Sequence, residues 1–377
     1  MFQVPVRALA AVRPREHPGL LFGTAWATAV LAVGPFLLPA VAAEYGIGLG
    51  LGSLSTALLL AGFVVGSFGA GRRLRPRGRV LGVAMLVAIA ANALSALLPP
   101  YVLLLVLRFV VGAATGIVTW FSWSQVFGDD RRMGEIAVIG PLVGLTTAPI
   151  AAALIEWGGP EAVYVALAAT GLAPLARSRR SGHDDPAVFV ERTASAQRHA
   201  PTPAARRILL ALGLLTLGGS SVFTFGAVIA AETTSLSTGA IAFAFSANAV
   251  ASVPSARWTG GRGSAGLWLG ACAAAAVTMG VVHAAPAFVL AITFWGFAFW
   301  MGIPGAYSLL AARSRHPEER AGDAQAIMAL GRVIGPLIGG VVLDRSGPTA
   351  LGVGGGTLMF GAAALLWLTE RDPASNA

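Results

Sequence analysis

Ile139-Gly140-Pro141-Leu142-Val143-Gly144 occurs a second time, almost unchanged, as Ile334-Gly335-Pro336-Leu337-Ile338-Gly339. Each copy lies inside an apolar stretch about as long as a bilayer crossing, which needs about 20 residues. A second pair, Ser53-Leu54-Ser55-Thr56-Ala57 and Ser235-Leu236-Ser237-Thr238-Gly239-Ala240, repeats in the same order roughly half a chain apart. The sequence therefore predicts two related halves, each a bundle of membrane helices. Duplicated bundles of this kind commonly enclose a central path.

The composition is that of a membrane protein. Hydrophobic residues make up 56% of the 377-residue chain and charged residues 11%, whereas soluble domains carry about 25% charged residues. The difference has a physical cause, because an ionised side chain is costly in hydrocarbon. The sequence shows no Cys/His metal spacing, phosphate-binding loop or nucleophile elbow, and its single cysteine excludes an internal disulfide. We therefore expect that the chain is not an enzyme and that it binds no cofactor and no metal.

Twelve apolar stretches are long enough to cross a bilayer as helices. They cover 20–42, 50–71, 79–98, 101–127, 134–157, 160–176, 207–231, 238–257, 264–284, 286–312, 324–343 and 349–369. One long polar stretch separates the sixth from the seventh. The sequence predicts an all-α membrane protein with twelve transmembrane helices in two pseudo-symmetric six-helix bundles, 1–176 and 208–377, joined by a cytoplasmic linker at 177–207.

The basic residues, all of them arginine, support this helix count. All but three of the 26 fall in the two tails, the linker and the connections on the same side as the tails. Because cytoplasmic loops are enriched in arginine, both termini are predicted to be cytoplasmic. Arg345 lies in an outer loop, and Arg108 and Arg332 lie within spans. The absence of lysine is typical of a GC-rich bacterium, which favours the bacterial plasma (inner) membrane.

Two six-helix halves, a basic loop after helix 2 and a long central linker resemble the major facilitator superfamily of secondary transporters, over essentially the whole chain. Gly331-Arg332-Val333-Ile334-Gly335-Pro336-Leu337-Ile338-Gly339-Gly340 resembles the antiporter motif Gly-x-x-x-Gly-Pro-x-x-Gly-Gly of the drug/metabolite proton antiporter branch. The family carries that motif in helix 5, where this chain keeps Gly140, Pro141 and Gly144. Arg108-Phe109-Val110-Val111-Gly112 of helix 4 resembles the family's Arg-x-x-x-Gly motif.

The resemblance implies residues that change the conformation. The loop Gly71-Arg72-Arg73-Leu74-Arg75-Pro76-Arg77-Gly78-Arg79 resembles the family loop Gly-x-x-x-Asp-Arg-x-Gly-Arg, whose Asp helps lock the cytoplasmic gate. Arg75 occupies the Asp position, so this chain must close its gate differently. Proline kinks a helix and glycine lets a neighbouring helix approach, so the Gly-Pro phrases suit helices that bend or rock. The gating candidates are Arg75, Arg79, Gly140, Pro141, Gly144, Arg332, Gly335, Pro336 and Gly339.

Charged residues within the spans are functional candidates. Arg108 lies about two turns into helix 4 and could bind an anion, tune a proton site, or simply hold helices together. Arg332 lies in the inner third of helix 11, where it could bind an anion or close an inner gate. Proton coupling normally needs a carboxylate or histidine whose pKa burial can shift. Glu44 and Glu232, matched at the outer ends of helices 1 and 7, are the candidates, although solvated helix ends are the simpler explanation of both.

Aromatic residues predict the walls of a cavity. In helix 10, Phe294, Phe297 and Met301 share one face, and Trp295 and Phe299 share another, so one of these faces must look away from lipid. Aromatic walls with a few polar groups suit a flat, partly apolar ligand, although interhelix packing would explain each ring singly. The substrate-binding candidates are Trp26, Arg108, Trp120, Phe225, Asn248, Phe297 and Trp300.

These features favour a secondary active transporter that moves a small amphipathic compound by alternating access, with proton-coupled efflux as the expected coupling. No ATP-binding motif is present, so an ion gradient or the substrate gradient must supply the energy. One alternative is a transporter of a small anionic metabolite with Arg108 as the anion partner. Another is a membrane sensor or scaffold that does not transport. The expected partners are the substrate, a proton or another coupling ion, and the lipid bilayer, with no nucleic acid. The family usually works as a monomer.

Overall fold

A computed structural model describes residues 18–74, 77–126, 130–178, 199–256, 258 and 261–372. Twelve helices account for almost all of them: α1 Pro18–Ala32, α2 Gly34–Glu44, α3 Leu49–Arg73, α4 Gly78–Ser95, α5 Tyr101–Val126, α6 Asp130–Ser178, α7 Pro203–Thr224, α8 Gly226–Thr233, α9 Thr238–Ala256, α10 Ala265–Val281, α11 Ala285–Ala312 and α12 Pro317–Arg371. No strand occurs in this part of the chain. The all-α prediction is therefore confirmed.

The number of helices does not equal the number of membrane crossings. Some crossings are divided between two helices, and some helices turn and cross twice. Among the described residues, eight helices are long and apolar enough to cross a membrane, or nine if α1 and α2, which meet at 50°, form one span. The apolar parts of α6 and α12 extend for 38 and 50 residues, about 57 and 75 Å, whereas the hydrocarbon core is about 30 Å thick. Each therefore crosses twice, and the apolar α10 completes twelve crossings.

Glycine makes the turns inside the two long helices. In α6 the backbone leaves the helical region at Gly158 and Gly159, where Gly159 has a φ of 64°. In α12 it does so at Gly347, with a φ of 75°. A positive φ is costly for residues with a Cβ atom, which explains why glycine occupies both turns. These turns lie between the predicted fifth and sixth spans and between the eleventh and twelfth.

Two further breaks lie at matched places in the duplicated sequence. The first predicted span divides between α1 and α2 at Val33, and the seventh divides between α7 and α8 at Phe225. The Gly-Pro phrases behave differently, since the backbone stays helical through Pro141 and Pro336. The second Gly-Pro motif packs tightly against α7, because a Cβ atom at Gly335 would lie 2.8 Å from the Leu217 carbonyl oxygen of that helix.

The two ends of the bundle need names. The "terminal face" is the end that carries Pro18 and Asp372, with the connections at 74–77 and 313–316, and the "distal face" is the opposite end, with the connections at 45–48 and 234–237. We call α1–α6 the N-terminal helices and α7–α12 the C-terminal helices. They meet where α3 packs on α12 and α6 packs on α9. The predicted division at 177–207 stays a prediction, because most of that segment lies outside the described residues.

Candidate functional site

A cavity of about 320 Å³ lies among the C-terminal helices. Its volume is at the lower end of the range for small-molecule sites, about 300–1,000 Å³. Segments of α7, α9, α11 and α12 supply its walls: Leu215, Thr216, Gly219, Ser220, Phe223, Thr224, Asn248, Trp295, Gly296, Phe299, Trp300, Arg332 and Met359. The walls combine aromatic rings, hydroxyl groups, one carboxamide and one guanidinium.

The aromatic wall comes mainly from α11. Trp295, Phe299 and Trp300 line the cavity, and Phe223 of α7 faces them, with ring centroids 5.8 Å apart between Phe223 and Trp295. Phe294, on the same helix, is 45% exposed and does not line the cavity. Of the two faces distinguished in the sequence, the Trp295–Phe299 face therefore belongs to the cavity.

The Arg332 side chain is exposed although it lies within a membrane-crossing segment, and it lines the cavity. Helix α12 begins at Pro317, earlier than the span predicted from 324. The position of Arg332 in the inner third of that span stays a prediction. Within the described part of the chain its guanidinium makes no hydrogen bond or ion pair. It is therefore available to a ligand.

The polar groups near Arg332 are mostly engaged with the backbone. Ser220 donates to the carbonyl oxygens of Thr216 at 2.6 Å and Gly331 at 3.0 Å, which ties α7 to α12. Asn248 donates through Nδ2 to the Ile292 carbonyl oxygen at 2.7 Å, which ties α9 to α11. Arg332 is the charged donor of the cavity wall, while the Thr224 hydroxyl and the indole N–H groups of Trp295 and Trp300 are neutral donors in the same wall.

The predicted binding residues separate into three groups. Asn248 and Trp300 line the cavity. Phe297 lines another cavity, of about 480 Å³, where it contacts the Trp268 ring. The others do not line either cavity. Trp26 is buried and donates to the Leu167 carbonyl oxygen at 2.8 Å, Phe225 is fully buried, and Trp120 packs partly buried against the core.

Arg108 has partners of its own among the N-terminal helices. Its side chain is 3% exposed, and Nη2 donates to Asn92 Oδ1 at 3.1 Å and to Ser95 Oγ at 2.6 Å, both on α4. The guanidinium also lies over the Tyr164 ring at 4.4 Å from its centroid. The structure therefore places Arg108 where it joins α4, α5 and the second crossing of α6, apart from the cavity.

Sequence reasoning missed Trp295, Phe299 and Phe223 as wall residues. The pairing of Trp295 with Phe299 on one helical face was the signal, but the sequence did not distinguish that face from the one with Phe297. Trp295 and Phe223 belong to a longer chain of ring contacts. Phe223 contacts Phe245 at 5.4 Å between centroids, and Phe245 contacts Phe36 of α2 at 5.2 Å. The aromatic wall therefore reaches the N-terminal helices on the distal side of the cavity.

The predicted gating residues occupy different environments. Arg79 is exposed at the terminal face, and Arg75 lies outside the described residues. Pro141 and Pro336 are both buried. A Cβ atom at Gly144 would lie 3.2 Å from Ala249 Cβ of α9, and one at Gly339 would lie 2.8 Å from the Ser221 carbonyl oxygen of α7. At Gly140, no described atom would lie within 4 Å.

The N- and C-terminal helices are hydrogen-bonded in the distal half of the bundle. The Asp344 carboxylate of α12 accepts from the backbone N–H groups of Leu49 at 3.0 Å and Gly50 at 2.6 Å, at the first turn of α3. Nearer the middle, the Ser246 hydroxyl donates to the Leu145 carbonyl oxygen at 2.7 Å. These contacts, with the Phe36–Phe245 ring pair, close the distal side above the cavity.

The two proton candidates are remote from the cavity. Glu44 and Glu232 are exposed at the distal face, and neither lines the cavity. Glu44 influences its neighbour Tyr45, whose hydroxyl donates to the Pro99 carbonyl oxygen. Burial, and secondarily the Glu44 charge, raises the pKa of Tyr45. None of the described lining residues is acidic.

No family model matches the chain, and no curated protein matches it significantly. Solved structures do resemble it. The human organic anion transporter MFSD10 (TETRAN) has a TM-score of 0.63 at 18% identity, covering 92% of this chain and 97% of that chain. A bacterial homologue of the human lysosomal transporter Spinster, inward-facing and occupied, has a TM-score of 0.67 at 13% identity, covering 99% of this chain and 98% of that chain.

The chain has the major facilitator fold. The same bacterial homologue in its inward-facing and unoccupied form has a TM-score of 0.63 at 13% identity, covering 93% of this chain and 94% of that chain. At these identities the similarity shows the fold alone, so the function of this chain must be inferred from its own cavity. Within the major facilitator fold, the described contacts between the N- and C-terminal helices lie mainly along α3–α12 and α6–α9, and α2 adds the Phe36–Phe245 contact.

Proposed function

We propose that this chain is a secondary transporter that carries a small amphipathic compound across a lipid bilayer by alternating access. The observation that carries the proposal is the cavity of about 320 Å³, with its aromatic wall and few polar groups, inside a duplicated bundle of membrane helices. Cavities of that chemistry bind small organic molecules. Duplicated bundles of that architecture rock about such a site.

The contacts at the distal face support a state that is closed on that side. For a substrate to leave there, the Asp344 carboxylate must release the start of α3, and Phe36 must separate from Phe245. Both contacts join the N-terminal to the C-terminal helices, so rocking of one set against the other would break them together. Opening the distal face is therefore the step that these residues control.

Direction, coupling and location are proposed from the sequence. The antiporter-like Gly-Pro phrase favours export driven by a proton gradient, and the arginine distribution favours a bacterial plasma membrane with both termini in the cytoplasm. The terminal face is then the cytoplasmic face. Because the described lining residues include no carboxylate, the proton would have to bind outside the cavity. Glu44 and Glu232 remain the candidates, and the active unit is proposed to be a monomer.

Counterflow in proteoliposomes tests transport without assuming a coupling ion. Vesicles are loaded with an unlabelled compound, and transient accumulation of the same compound in radiolabelled form is measured. We would use a naphthalenesulfonate and a naphthyltrimethylammonium ion, which share a ring system but carry opposite permanent charges. Transient accumulation of either one supports the proposal. Protein-independent uptake of both, with insertion confirmed, would contradict it and favour the sensor or scaffold alternative.

The coupling proposal needs its own measurement. Once a transported compound is known, its accumulation is followed in cells that express the chain, with and without a protonophore. Lower accumulation that the protonophore abolishes supports proton-driven export. Lower accumulation that the protonophore leaves intact contradicts proton coupling, while transport itself stands.

A further inference from the structure

We propose that the cavity selects amphipathic organic anions, with Arg332 binding the anionic group and the α11 aromatic rings binding a flat apolar body. This inference rests on the proposed transport function and assigns its substrate class. The sequence favoured Arg108 as the residue that binds an anion, whereas this inference assigns that role to Arg332.

No described residue balances the charge of Arg332. The guanidinium lines the cavity and makes no hydrogen bond or ion pair with any described residue. Along α12, Asp323 lies nine residues before it and Asp344 twelve residues after it, about 13 and 18 Å away along the axis. A cation in the middle of a membrane helix is costly unless a partner or water compensates it.

The nearest acids on α12 are engaged elsewhere. Asp323 forms an ion pair with Arg320 at 2.7 Å, and Asp344 binds the first turn of α3. The other carboxylates of the C-terminal helices with described side chains lie at the ends of the bundle. Glu370 accepts from the Ala265 N–H at 2.7 Å, and Glu232 is exposed at the distal face. A bound anion is therefore the partner that the cavity lacks.

The guanidinium of Arg332 also restricts the shape of the anionic group. A guanidinium presents a planar fork of donors that matches the two or three oxygens of a carboxylate, sulfonate or phosphate. Ser220 and Thr216 lie in the same wall and direct their hydroxyl protons to backbone carbonyl oxygens. Arg332 therefore supplies the charged donors to an anion, and its replacement should remove most of the selectivity for charge.

The aromatic wall of the cavity restricts the body of the ligand. Trp295, Phe299 and Trp300 present rings on one wall, and Phe223 lies against Trp295 at 5.8 Å between centroids. Aromatic rings favour offset or edge contacts with another flat ring. The volume of about 320 Å³ limits the ligand to a small molecule. An aromatic compound of one or two rings with a single anionic group satisfies both requirements.

Binding of three naphthalene ligands tests the assignment: the sulfonate, the uncharged sulfonamide and the trimethylammonium ion. Affinity is measured by isothermal titration on the purified full-length protein. We expect the sulfonate to bind at least about tenfold more tightly than the sulfonamide and more tightly still than the ammonium ion, because hydrogen bonds to charged groups are the stronger ones. This comparison uses the unmodified protein, so it does not depend on whether a variant folds. Equal affinities, or preference for the ammonium ion, would overturn the anion assignment.

Arg332→Gln supplies the second arm. It should weaken sulfonate binding at least about tenfold and leave sulfonamide binding nearly unchanged, and Arg332→Lys should recover part of the loss because it keeps the charge without the fork. Arg345→Gln is the matched control, since Arg345 is exposed on the same helix about 20 Å further along its axis. An unchanged sulfonate affinity in a folded Arg332→Gln protein overturns the assignment.

The counterflow result separates this inference from the proposed function. If the ammonium ion shows counterflow and the sulfonate does not, transport stands and the anion assignment fails. If the sulfonate shows counterflow that Arg332→Gln abolishes and Arg345→Gln preserves, both stand. If neither ligand shows counterflow, the proposed function itself fails, whatever the binding data show.

Discussion

Asp344 Oδ2 accepts a hydrogen bond of 2.6 Å from the backbone N–H of Gly50, and the two residues belong to opposite sets of helices. The other oxygen, Oδ1, accepts from the Leu49 N–H at 3.0 Å. Free N–H groups and the positive end of the helix dipole make the start of a helix a good site for a carboxylate. The fit is close, because a Cβ atom at Gly48 or Gly50 would lie 2.9 Å from Oδ2. A helix cap therefore acts here as the contact that closes the distal face.

Asp344→Asn should shift the protein towards states with an open distal face. The substitution removes the charge and turns an amide NH₂ group towards one of the two N–H donors. We expect the free energy that favours the closed distal face to fall by about 1 kcal/mol, because charges at exposed helix ends contribute roughly this much. The ratio of open to closed protein should then rise about fivefold. Spin labels at Glu156→Cys and Ser235→Cys, on opposite sides of the distal face, measure the distance. The native Cys272 is buried and should stay unlabelled.

Glu370→Gln is the matched control for that experiment. Glu370 also binds the start of a neighbouring helix, through the Ala265 N–H at 2.7 Å and the Gly266 N–H at 3.2 Å, but all three residues belong to the C-terminal helices. Its substitution should lower the thermal unfolding temperature without changing the distal distances. Equal changes in the two variants would mean that Asp344 contributes to stability and not to closure.

Phe299→Ala should weaken binding of the naphthalene ligands whatever their charge. Phe299 lines the cavity, and an aromatic contact contributes about 0.5–1.5 kcal/mol, which corresponds to roughly a two- to twelvefold loss of affinity. Phe294→Ala is the control, because Phe294 is exposed on the same helix and does not line the cavity. Titration with the sulfonate and the sulfonamide measures both variants. A loss in Phe294→Ala as large as in Phe299→Ala would place the ligand elsewhere.

Hydropathy and arginine placement predicted the crossings because both depend on the bilayer. An apolar stretch must be long enough to span it, and glycine at Gly159 and Gly347 permits the tight turns between crossings. Hydropathy does not register where a helix extends beyond the membrane. Helix α12 begins at Pro317 because proline suits the first helical turn and the Arg320–Asp323 ion pair supports the next. The helix therefore starts before the apolar stretch that hydropathy detects.

The two intramembrane arginines show what local sequence could not separate. Both lie in apolar runs, and hydropathy treats them alike. Arg108 acquires Asn92, Ser95 and Tyr164 from other crossings, whereas Arg332 faces the cavity. These partners are contacts between segments distant in sequence, so no pattern within one span reveals them. The choice between the two aromatic faces of α11 depends on the neighbouring helices in the same way.

The duplicated Gly-Pro phrase offers a test within one molecule. A Cβ atom at Gly335 would lie 2.8 Å from the Leu217 carbonyl oxygen and 3.0 Å from the Ser221 backbone nitrogen, whereas at Gly140 the described residues leave the space open. Gly335→Ala should therefore lower the thermal unfolding temperature, because α12 must move away from α7. Gly140→Ala should leave it unchanged or raise it, since alanine favours helices by up to about 1 kcal/mol. Equal destabilisation by both changes would contradict this difference between the two halves.

Arg108→Ala should lower stability and spare ligand binding. It leaves Asn92 and Ser95, which are buried, without the donor that they share, and removes the contact with the Tyr164 ring. Unsatisfied buried polar groups cost about 1–3 kcal/mol each, so we expect a loss of that order in a denaturant titration. Arg108→Lys should recover little, because an ammonium group lacks the planar surface with which the guanidinium stacks on the Tyr164 ring. The naphthalenesulfonate affinity of the folded Arg108→Ala protein should stay within about twofold of the wild-type value, because Arg108 is not among the residues that line the cavity. A tenfold loss of sulfonate affinity without a loss of stability would instead make Arg108 the anion partner, as the sequence analysis proposed for its alternative function.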